Sequence, residues 1–181
     1  GDMNGREWLM KEPSVENAVS LIKQSMEGLE FLWEKGFIHR DFKSLNLMVD
    51  GATGRVRIID FGTLSAISNK TAGQLKVSEM NKNELKRFGG IIHTPSNTEY
   101  GTVGKKLLAE MSEGNFKREY DILSVFNLIY ESHSALISKG VKIDPNSKFK
   151  KITDLAIEAS QLDMYDTGGL GRLYERLKQL K

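Results

Sequence analysis

The side chains best suited to chemistry in this 181-residue chain lie in two short stretches, 39–46 and 60–62. Asp60 and Asn46 offer the oxygen ligands that Mg²⁺ takes beside substrate phosphates. Asp41 is suited to orient a substrate hydroxyl and accept its proton, and Lys43 offers a positive charge to a phosphate. Because phosphoryl transfer depends on positioning and charge neutralisation, this set predicts a Mg²⁺-dependent phosphoryl-transfer site.

A β-hairpin is expected to position these groups. Two β-rich runs, 45–49 and 55–59, flank a turn of Asp and Gly type at 50–54. Such a pattern favours an antiparallel hairpin. The hairpin would bring Asn46 and Asp60, fourteen positions apart, to one edge.

Helices are predicted on both sides of this hairpin. Apolar residues recur every three or four positions after Ser14, a suitable N-cap, and Gly36 is suited to end that helix. The further predicted helices cover 78–88, 120–137, 151–162 and 170–180, with Gly168 and Gly169 separating the last two. The predicted fold class is mainly α with a small β-hairpin, an α+β arrangement.

One domain spanning 1–181 is expected, since domains typically run to about 100–200 residues. Its predicted parts are a hinge-like entry (1–13), a long helix (14–36), the catalytic loop with the hairpin (39–62), a long polar segment (63–119) and a helical remainder (120–181).

Composition excludes several other classes of protein. Without Cys and with only three His, the chain has neither disulfides nor a Cys-ligated metal site, and a multi-His site is not expected. A net charge of +2 gives no reason to expect a nucleic-acid partner. Apolar runs are far shorter than the ~20 residues that a membrane helix needs, and no signal peptide is evident. We expect a cytoplasmic protein, or a bacterial effector secreted into a host cell.

The two reactive stretches match a known family pattern. The first reads His39-Arg40-Asp41-Phe42-Lys43-Ser44-Leu45-Asn46 and the second reads Asp60-Phe61-Gly62. Together they resemble the H-R-D-x-x-x-x-N and D-F-G motifs of eukaryotic-type protein kinases. The resemblance covers the region of the family's C-terminal lobe.

The resemblance implies a role for each residue of the site. Asp41 would be the catalytic base, Lys43 a contact of the ATP γ-phosphate, Asn46 and Asp60 the Mg²⁺ ligands, and Met48 the apolar floor under adenine. Lys43 and the two Mg²⁺ ligands would also count among the groups that bind the ATP. Lysine at this position is typical of serine/threonine kinases.

Other residues would support the site. The resemblance implies that His39 and Phe61 belong to the family's regulatory spine and that Gly62 completes the D-F-G motif. Arg40 often marks kinases controlled by phosphorylation of the activation segment, although a polar loop without regulation explains the Ser and Thr of 63–119 equally well. Asp121 resembles the Asp of the family's D-x-W-S-x-G helix, which would anchor the catalytic loop by accepting backbone N–H bonds. Leu123 stands where that pattern has Trp.

The family's N-terminal lobe has no counterpart in the sequence. Neither G-x-G-x-x-G nor V-A-I-K occurs among the 38 residues before His39. The chain is therefore expected to be either a C-lobe fragment, with the other lobe supplied by a longer protein or a partner chain, or a minimal divergent kinase that has lost that lobe. The stretch 101–105 lacks P-loop spacing and is interpreted as a turn. No A-P-E follows the stretch 93–100, which loosely resembles the family's G-T-P-x-Y.

Three functions are compatible with these motifs. The first is a serine/threonine protein kinase that uses ATP and Mg²⁺ to phosphorylate a Ser or Thr of a protein substrate. The second is a non-catalytic, kinase-derived module that binds a partner. The third is a small-molecule kinase of the aminoglycoside or choline type. Arg40, Lys43 and the complete D-F-G favour the protein-kinase version over the third.

Overall fold

The architecture comes from a computed structural model that describes residues 1–62, 64–67, 117–162 and 167–180. Helices dominate it, and the strands are short. The elements in chain order are β1 (Asp2–Asn4), α1 (Gly5–Lys11), α2 (Val15–Glu34), β2 (Phe37–Ile38), the 3-10 turn η1 (Ser44–Asn46), β3 (Leu47–Asp50), β4 (Val56–Ile58), β5 (Ser65–Ala66), α3 (Arg118–Ser138), α4 (Lys148–Ser160) and α5 (Thr167–Gln179). The prediction of a mainly α fold with a small β-hairpin is therefore confirmed, and the structure adds further short strands to the hairpin.

Helix α2 begins and ends where the sequence predicted. The Ser14 hydroxyl accepts a hydrogen bond from the Asn17 N–H at 3.0 Å, which satisfies a backbone donor of the first turn. Gly36 follows the last turn with φ of +86°, a conformation in which a Cβ is disfavoured. The chain then turns directly into β2 and the catalytic loop.

The predicted hairpin is present as β3 and β4, which pair antiparallel with Met48 opposite Arg57. The Asp50 carboxylate closes the connecting turn by accepting from the N–H groups of Ala52 at 2.8 Å and Thr53 at 3.3 Å. On its other side β3 pairs with β1, giving a three-stranded sheet of order β1-β3-β4. A separate two-stranded ribbon joins β2 to β5.

The first 13 residues, expected as a hinge-like entry, contain a strand and a helix. Asn4 caps α1 by accepting from the Glu7 N–H at 2.9 Å, and the Glu7 carboxylate accepts from the Asn4 N–H at 3.1 Å. This reciprocal capping box fixes the direction change from β1 into α1.

The C-terminal helices are present, and all three begin two or three residues earlier than predicted. Helix α4 starts at Lys148, because the Ser147 hydroxyl accepts from the Lys150 N–H at 3.2 Å and so caps the helix. Helix α5 starts at Thr167, so Gly168 and Gly169 lie in its first turn rather than separating two helices. The prediction that Gly168 and Gly169 separate two helices was wrong. Glycine is a poor helix former, but packing of the apolar residues that follow stabilises the first turn of α5.

The described residues form one hydrophobic core around α3. This helix is buried along most of its length by α1, α2, α4 and α5. The largest fully buried apolar side chains come from seven elements of the fold and from the catalytic loop: Leu9, Leu21, Ile22, Leu29, Ile38, Phe42, Leu47, Tyr120, Phe126, Phe149 and Tyr174. The catalytic loop and the hairpin rest on this helical base.

Several predictions lie outside the described residues. They concern the helix at 78–88, the turn at 101–105, the stretch 93–100 and most of the Ser and Thr residues offered as phosphorylation sites. In the part of the chain that the structure describes, none of the helices combines the length and the apolar character that crossing a membrane requires.

Candidate active site

The two predicted motifs contain unusual backbone conformations. Arg40 has φ of +73° and Asp60 has φ of +61°, and no other non-glycine residue among those described has a positive φ. The left-handed backbone conformation costs a residue other than glycine roughly 1–2 kcal/mol, and it persists where surrounding contacts impose it. Both strained residues therefore depend on their neighbours for their position.

Asp121 supplies the contacts that hold the loop at Arg40. Its Oδ2 accepts from the His39 N–H at 2.8 Å, and its Oδ1 accepts from the Arg40 N–H at 3.0 Å. The Trp33 indole N–H donates to the same Oδ2 at 2.9 Å. The side chain comes from the first turns of α3, so this carboxylate joins α2, the catalytic loop and α3.

Two ionisable side chains, those of Asp121 and Arg40, are buried where α3 meets the catalytic loop. Burial raises the pKa of the Asp121 carboxyl, while the hydrogen bonds from Trp33, His39 and Arg40 act in the opposite sense. Burial lowers the pKa of the Arg40 guanidinium, and nearby Tyr120 and Asp121 counteract that effect. The Arg40 Nη1 also donates to the Ser65 hydroxyl at 3.0 Å, which ties the loop to β5.

His39 connects the two motifs. Its Nδ1 accepts from the Asp41 N–H at 3.2 Å, which leaves the ring proton on Nε2, where it donates to the Ile59 carbonyl at 3.1 Å. The His39 ring is fully buried and meets the Phe61 ring edge-on, with centroids 5.7 Å apart. One imidazole therefore fixes both the residue before Asp60 and the backbone of Asp41.

Asp41, Lys43 and Asn46 form one contiguous group. The Asn46 Nδ2 donates to the Asp41 carbonyl at 2.8 Å and to Asp41 Oδ2 at 3.1 Å. The Lys43 ammonium lies 3.4 Å from Asp41 Oδ1 and is about one-third exposed. The structure thus brings together the three residues that the motif predicted to act at the phosphate and the hydroxyl.

The hairpin carries Asp60 to the same edge. The Ile59 N–H donates to the Asn46 carbonyl at 2.9 Å, so the residue before Asp60 is hydrogen-bonded to the residue that ends η1. The Asp60 side chain is exposed, and its Oδ1 accepts a long hydrogen bond from the Gly62 N–H at 3.4 Å. Phe61 remains half exposed.

Met48 lies on the opposite face of β3 from the core. Leu47 and Val49 are buried, whereas Met48 is only partly covered. It pairs with Asn4 on one side and Arg57 on the other. Its position is compatible with an apolar wall for a flat ligand that lies on the sheet.

The oxygen atoms available here fit a Mg²⁺ held mainly by substrate. Among the described residues, neither Asn46 Oδ1 nor Asp60 Oδ2 accepts a hydrogen bond. The Asn46 amide binds Asp41 through its nitrogen, and Asp60 accepts from Gly62 through its other oxygen, Oδ1. No group of three or more His, Cys, Asp or Glu that could hold a metal ion occurs in the described ranges. Two protein ligands, completed by phosphates and waters, are the usual Mg²⁺ arrangement.

Three contacts of the site were not anticipated from the sequence. Trp33 lies outside both motifs, but its indole N–H is a donor to Asp121. Ser44, an unassigned position within the motif, donates to Glu131 at 2.7 Å, and Arg6 donates to the same oxygen at 2.8 Å. The partners are far apart in sequence, so no local pattern could have indicated these pairs.

Comparisons with known proteins agree with the motifs. Residues 6–83 match the family model described as Protein kinase domain. The chain is 45% identical over 42 residues to the Serine/threonine-protein kinase pim-2 of Danio rerio, which covers 23% of this chain and 14% of that protein. It is 50% identical over 48 residues to the Mitogen-activated protein kinase kinase kinase 1 of Arabidopsis thaliana, covering 26% and 8%.

A further match is to the Mitogen-activated protein kinase kinase kinase 1 of Homo sapiens, 38% identical over 55 residues, or 30% of this chain and 4% of that protein. The chain thus matches only a small part of the length of each of these relatives. Residues 6–83, which include both motifs, are thus similar to a protein kinase domain.

Proposed function

We propose that this chain forms the C-terminal lobe of a serine/threonine protein kinase, which transfers the γ-phosphoryl group of ATP to a protein hydroxyl. One observation carries the proposal. The Asn46 amide nitrogen binds both the carbonyl and the carboxylate of Asp41, at 2.8 and 3.1 Å. A base and an oxygen ligand are thereby held in one rigid unit.

Asp41 is the proposed acceptor of the substrate hydroxyl proton. Its side chain is only 13% exposed, yet its carboxylate is shared with the Lys43 ammonium and the Asn46 amide. These two partners orient the carboxylate. Lys43 is close enough to place its positive charge on a phosphate oxygen that binds next to Asp41.

Asn46 and Asp60 are the proposed Mg²⁺ ligands, with Asn46 supplying a neutral oxygen and Asp60 an anionic one. The metal ion would neutralise the negative charge that develops on the phosphate oxygens during transfer. The chain's own contribution is alignment: the Ile59–Asn46 backbone bond keeps the two side chains at one edge of the hairpin. Asp60 is exposed, so its carboxylate is accessible to a ligand.

Serine and threonine are the proposed acceptors. Lys43 is the residue type that serine/threonine kinases carry two positions after the Asp, and pim-2 is a serine/threonine-protein kinase by name. The family also supports protein substrates rather than small molecules.

A non-catalytic partner-binding module is the second candidate. Phe61 favours it, because this large apolar side chain is 49% exposed beside the site. Burying the exposed half of this ring against another lobe or a partner chain would be favourable by about 1 kcal/mol. The same surface is compatible with a kinase whose N-terminal lobe lies outside this chain.

The deciding experiment is phosphotransfer from Mg-ATP by the chain to itself and to a generic Ser/Thr substrate. Asp41→Asn should lower transfer by at least about a hundredfold while nucleotide affinity stays within about twofold, because proton acceptance is lost and the shape is kept. Asp154→Asn is the matched control, since that exposed carboxylate contacts only Lys150 among the described residues. Equal transfer by wild type and Asp41→Asn would contradict the assignment, and transfer by neither would favour the binding module.

A further inference from the structure

The turn that carries Asn46 is too short to hold itself in place. η1 comprises three residues, Ser44–Asn46, and is closed by hydrogen bonds from the Asn46 N–H to the Lys43 carbonyl at 2.9 Å and from the Leu47 N–H to the Ser44 carbonyl. Isolated 3-10 turns of this length have poor hydrogen-bond geometry and little intrinsic stability. Contacts from outside η1 must therefore fix it.

One carboxylate of α3 supplies such a contact. Glu131 Oε1 accepts from the Ser44 hydroxyl at 2.7 Å and from the Arg6 Nε at 2.8 Å. Ser44 is 1% exposed, whereas the Glu131 side chain is 25% exposed and that of Arg6 is 57% exposed. A single oxygen atom thus joins η1, α1 and α3.

The packing of α1 agrees with this junction. A Cβ at Gly5 would lie 3.1 Å from the Ser44 carbonyl oxygen and 3.4 Å from the Leu47 Cβ. The glycine allows the start of α1 to approach the backbone of η1 closely. Arg6, the next residue, is thereby placed within reach of Glu131.

We propose that Ser44 and Glu131 are positioning residues of the site: their hydrogen bond holds η1, and with it the amide of Asn46, in register with Asp41. Arg6 fixes the carboxylate by occupying the same oxygen. The positioning of η1 follows from these contacts alone, whereas its consequence for Mg-ATP rests on the function proposed above.

A second buried serine provides a control that separates positioning of η1 from a general effect of losing a buried hydroxyl. Ser132, next to Glu131 on α3, is fully buried and donates 2.7 Å to the Leu128 carbonyl of its own helix. Ser44→Ala and Ser132→Ala remove equally buried hydroxyl groups. Only the first should affect η1 if the hydrogen bond to Glu131 has a positioning role.

Amide hydrogen exchange of the full chain tests the positioning directly. In Ser44→Ala, protection of the Asn46 and Ile59 N–H groups should fall by about tenfold or more relative to the helix amides, because a hydrogen bond to a charged acceptor is lost. Ser132→Ala should leave the protection of the Asn46 and Ile59 N–H groups, relative to the helix amides, unchanged. Unchanged protection in Ser44→Ala, or an equal loss in Ser132→Ala, would overturn the proposal.

Rescue at Glu131 gives a second test. Glu131→Gln keeps an oxygen acceptor for Ser44, so it should retain most of the protection of Asn46. Glu131→Met keeps the length without an acceptor and should reproduce the loss seen in Ser44→Ala. If Glu131→Gln and Glu131→Met behave alike, the Ser44 hydrogen bond does not position η1.

Calorimetry then separates the positioning claim from the proposed function. Ser44→Ala should weaken ATP binding in the presence of Mg²⁺ by about three- to tenfold and leave ATP binding in EDTA unchanged. A wild type that binds no Mg-ATP would count against the proposed function, while the exchange measurement still decides the role of Ser44. Mg-ATP affinity equal to wild type in Ser44→Ala would overturn the link to Asn46.

Discussion

The indole nitrogen of Trp33 lies 2.9 Å from Oδ2 of Asp121, a residue 88 positions later in the chain. The same oxygen accepts from the His39 N–H at 2.8 Å. Helix α2 and helix α3 therefore hold the start of the catalytic loop through one buried carboxylate. The Trp33 ring also meets Tyr174 of α5 edge-on, with centroids 5.4 Å apart. The same indole that donates to Asp121 is therefore packed against the helical core.

Trp33→Phe should lower the free energy of unfolding by about 1.5–3 kcal/mol, because it removes a hydrogen bond to a buried charged acceptor. Chemical denaturation monitored by circular dichroism measures the change. Trp8→Phe is the matched control, since Trp8 is similarly buried and makes no indole hydrogen bond to a described residue. An equal loss in both variants would mean that ring volume, rather than the contact with Asp121, explains the effect.

Asp60→Asn should remove the increase in ATP affinity that Mg²⁺ produces, because the variant loses the anionic ligand. Asparagine tolerates the left-handed φ of this position, so the backbone should be preserved. Calorimetric titration of ATP with and without Mg²⁺ measures the effect, with Asp154→Asn as the exposed-carboxylate control. Retention of the full Mg²⁺ dependence by Asp60→Asn would rule out Asp60 as a metal ligand.

The turn of the hairpin should respond to acid. Hydrogen bonds from Ala52, then Thr53, lower the pKa of Asp50 below its ordinary value of about 4. Because the folded-state pKa is depressed, the carboxylate stabilises the fold above that ordinary value, and the contribution is lost as the pH falls through the folded-state pKa.

Melting temperatures test this directly. Asp50→Ala should melt below wild type at pH 7, and the difference should shrink as the pH is lowered towards about 3. Asp50→Asn keeps an oxygen acceptor for the turn and cannot titrate, so it should lack this pH-dependent part. A gap between wild type and Asp50→Ala that is constant with pH would show that ionisation of Asp50 does not stabilise the hairpin.

Gly5→Ala should destabilise the chain by about 1–3 kcal/mol, because the added Cβ meets the backbone oxygen of Ser44 and forces α1 away from η1. Gly171→Ala is the control. It lies within α5, a Cβ there meets nothing within 4 Å, and the exchange should stabilise the helix by roughly 0.5–1 kcal/mol. Denaturant titration of both variants compares their free energies of unfolding. A Gly5→Ala variant as stable as wild type would show that α1 and η1 can move apart without cost.

Local signals in the sequence predicted the elements that they control. The Ser14 cap and Gly36 define α2, because both act through backbone hydrogen bonds and φ angles within a few residues. The Asp50 turn and its flanking β-rich runs likewise predict the hairpin. The start of α5 was missed, since two glycines weaken the local helical signal and packing of the helix compensates for it.

By itself, the sequence determined the kinase-type motifs, the hairpin that joins Asn46 to the segment of Asp60, and the mainly α fold. Their side-chain types and short-range spacing are local properties. Only the tertiary structure decided that Trp33 donates to Asp121 and that Ser44 and Arg6 share one oxygen of Glu131. Those pairs are brought together by the packing of α1 and α2 on α3, and contacts between distant segments depend on how whole helices pack, which short-range spacing does not specify.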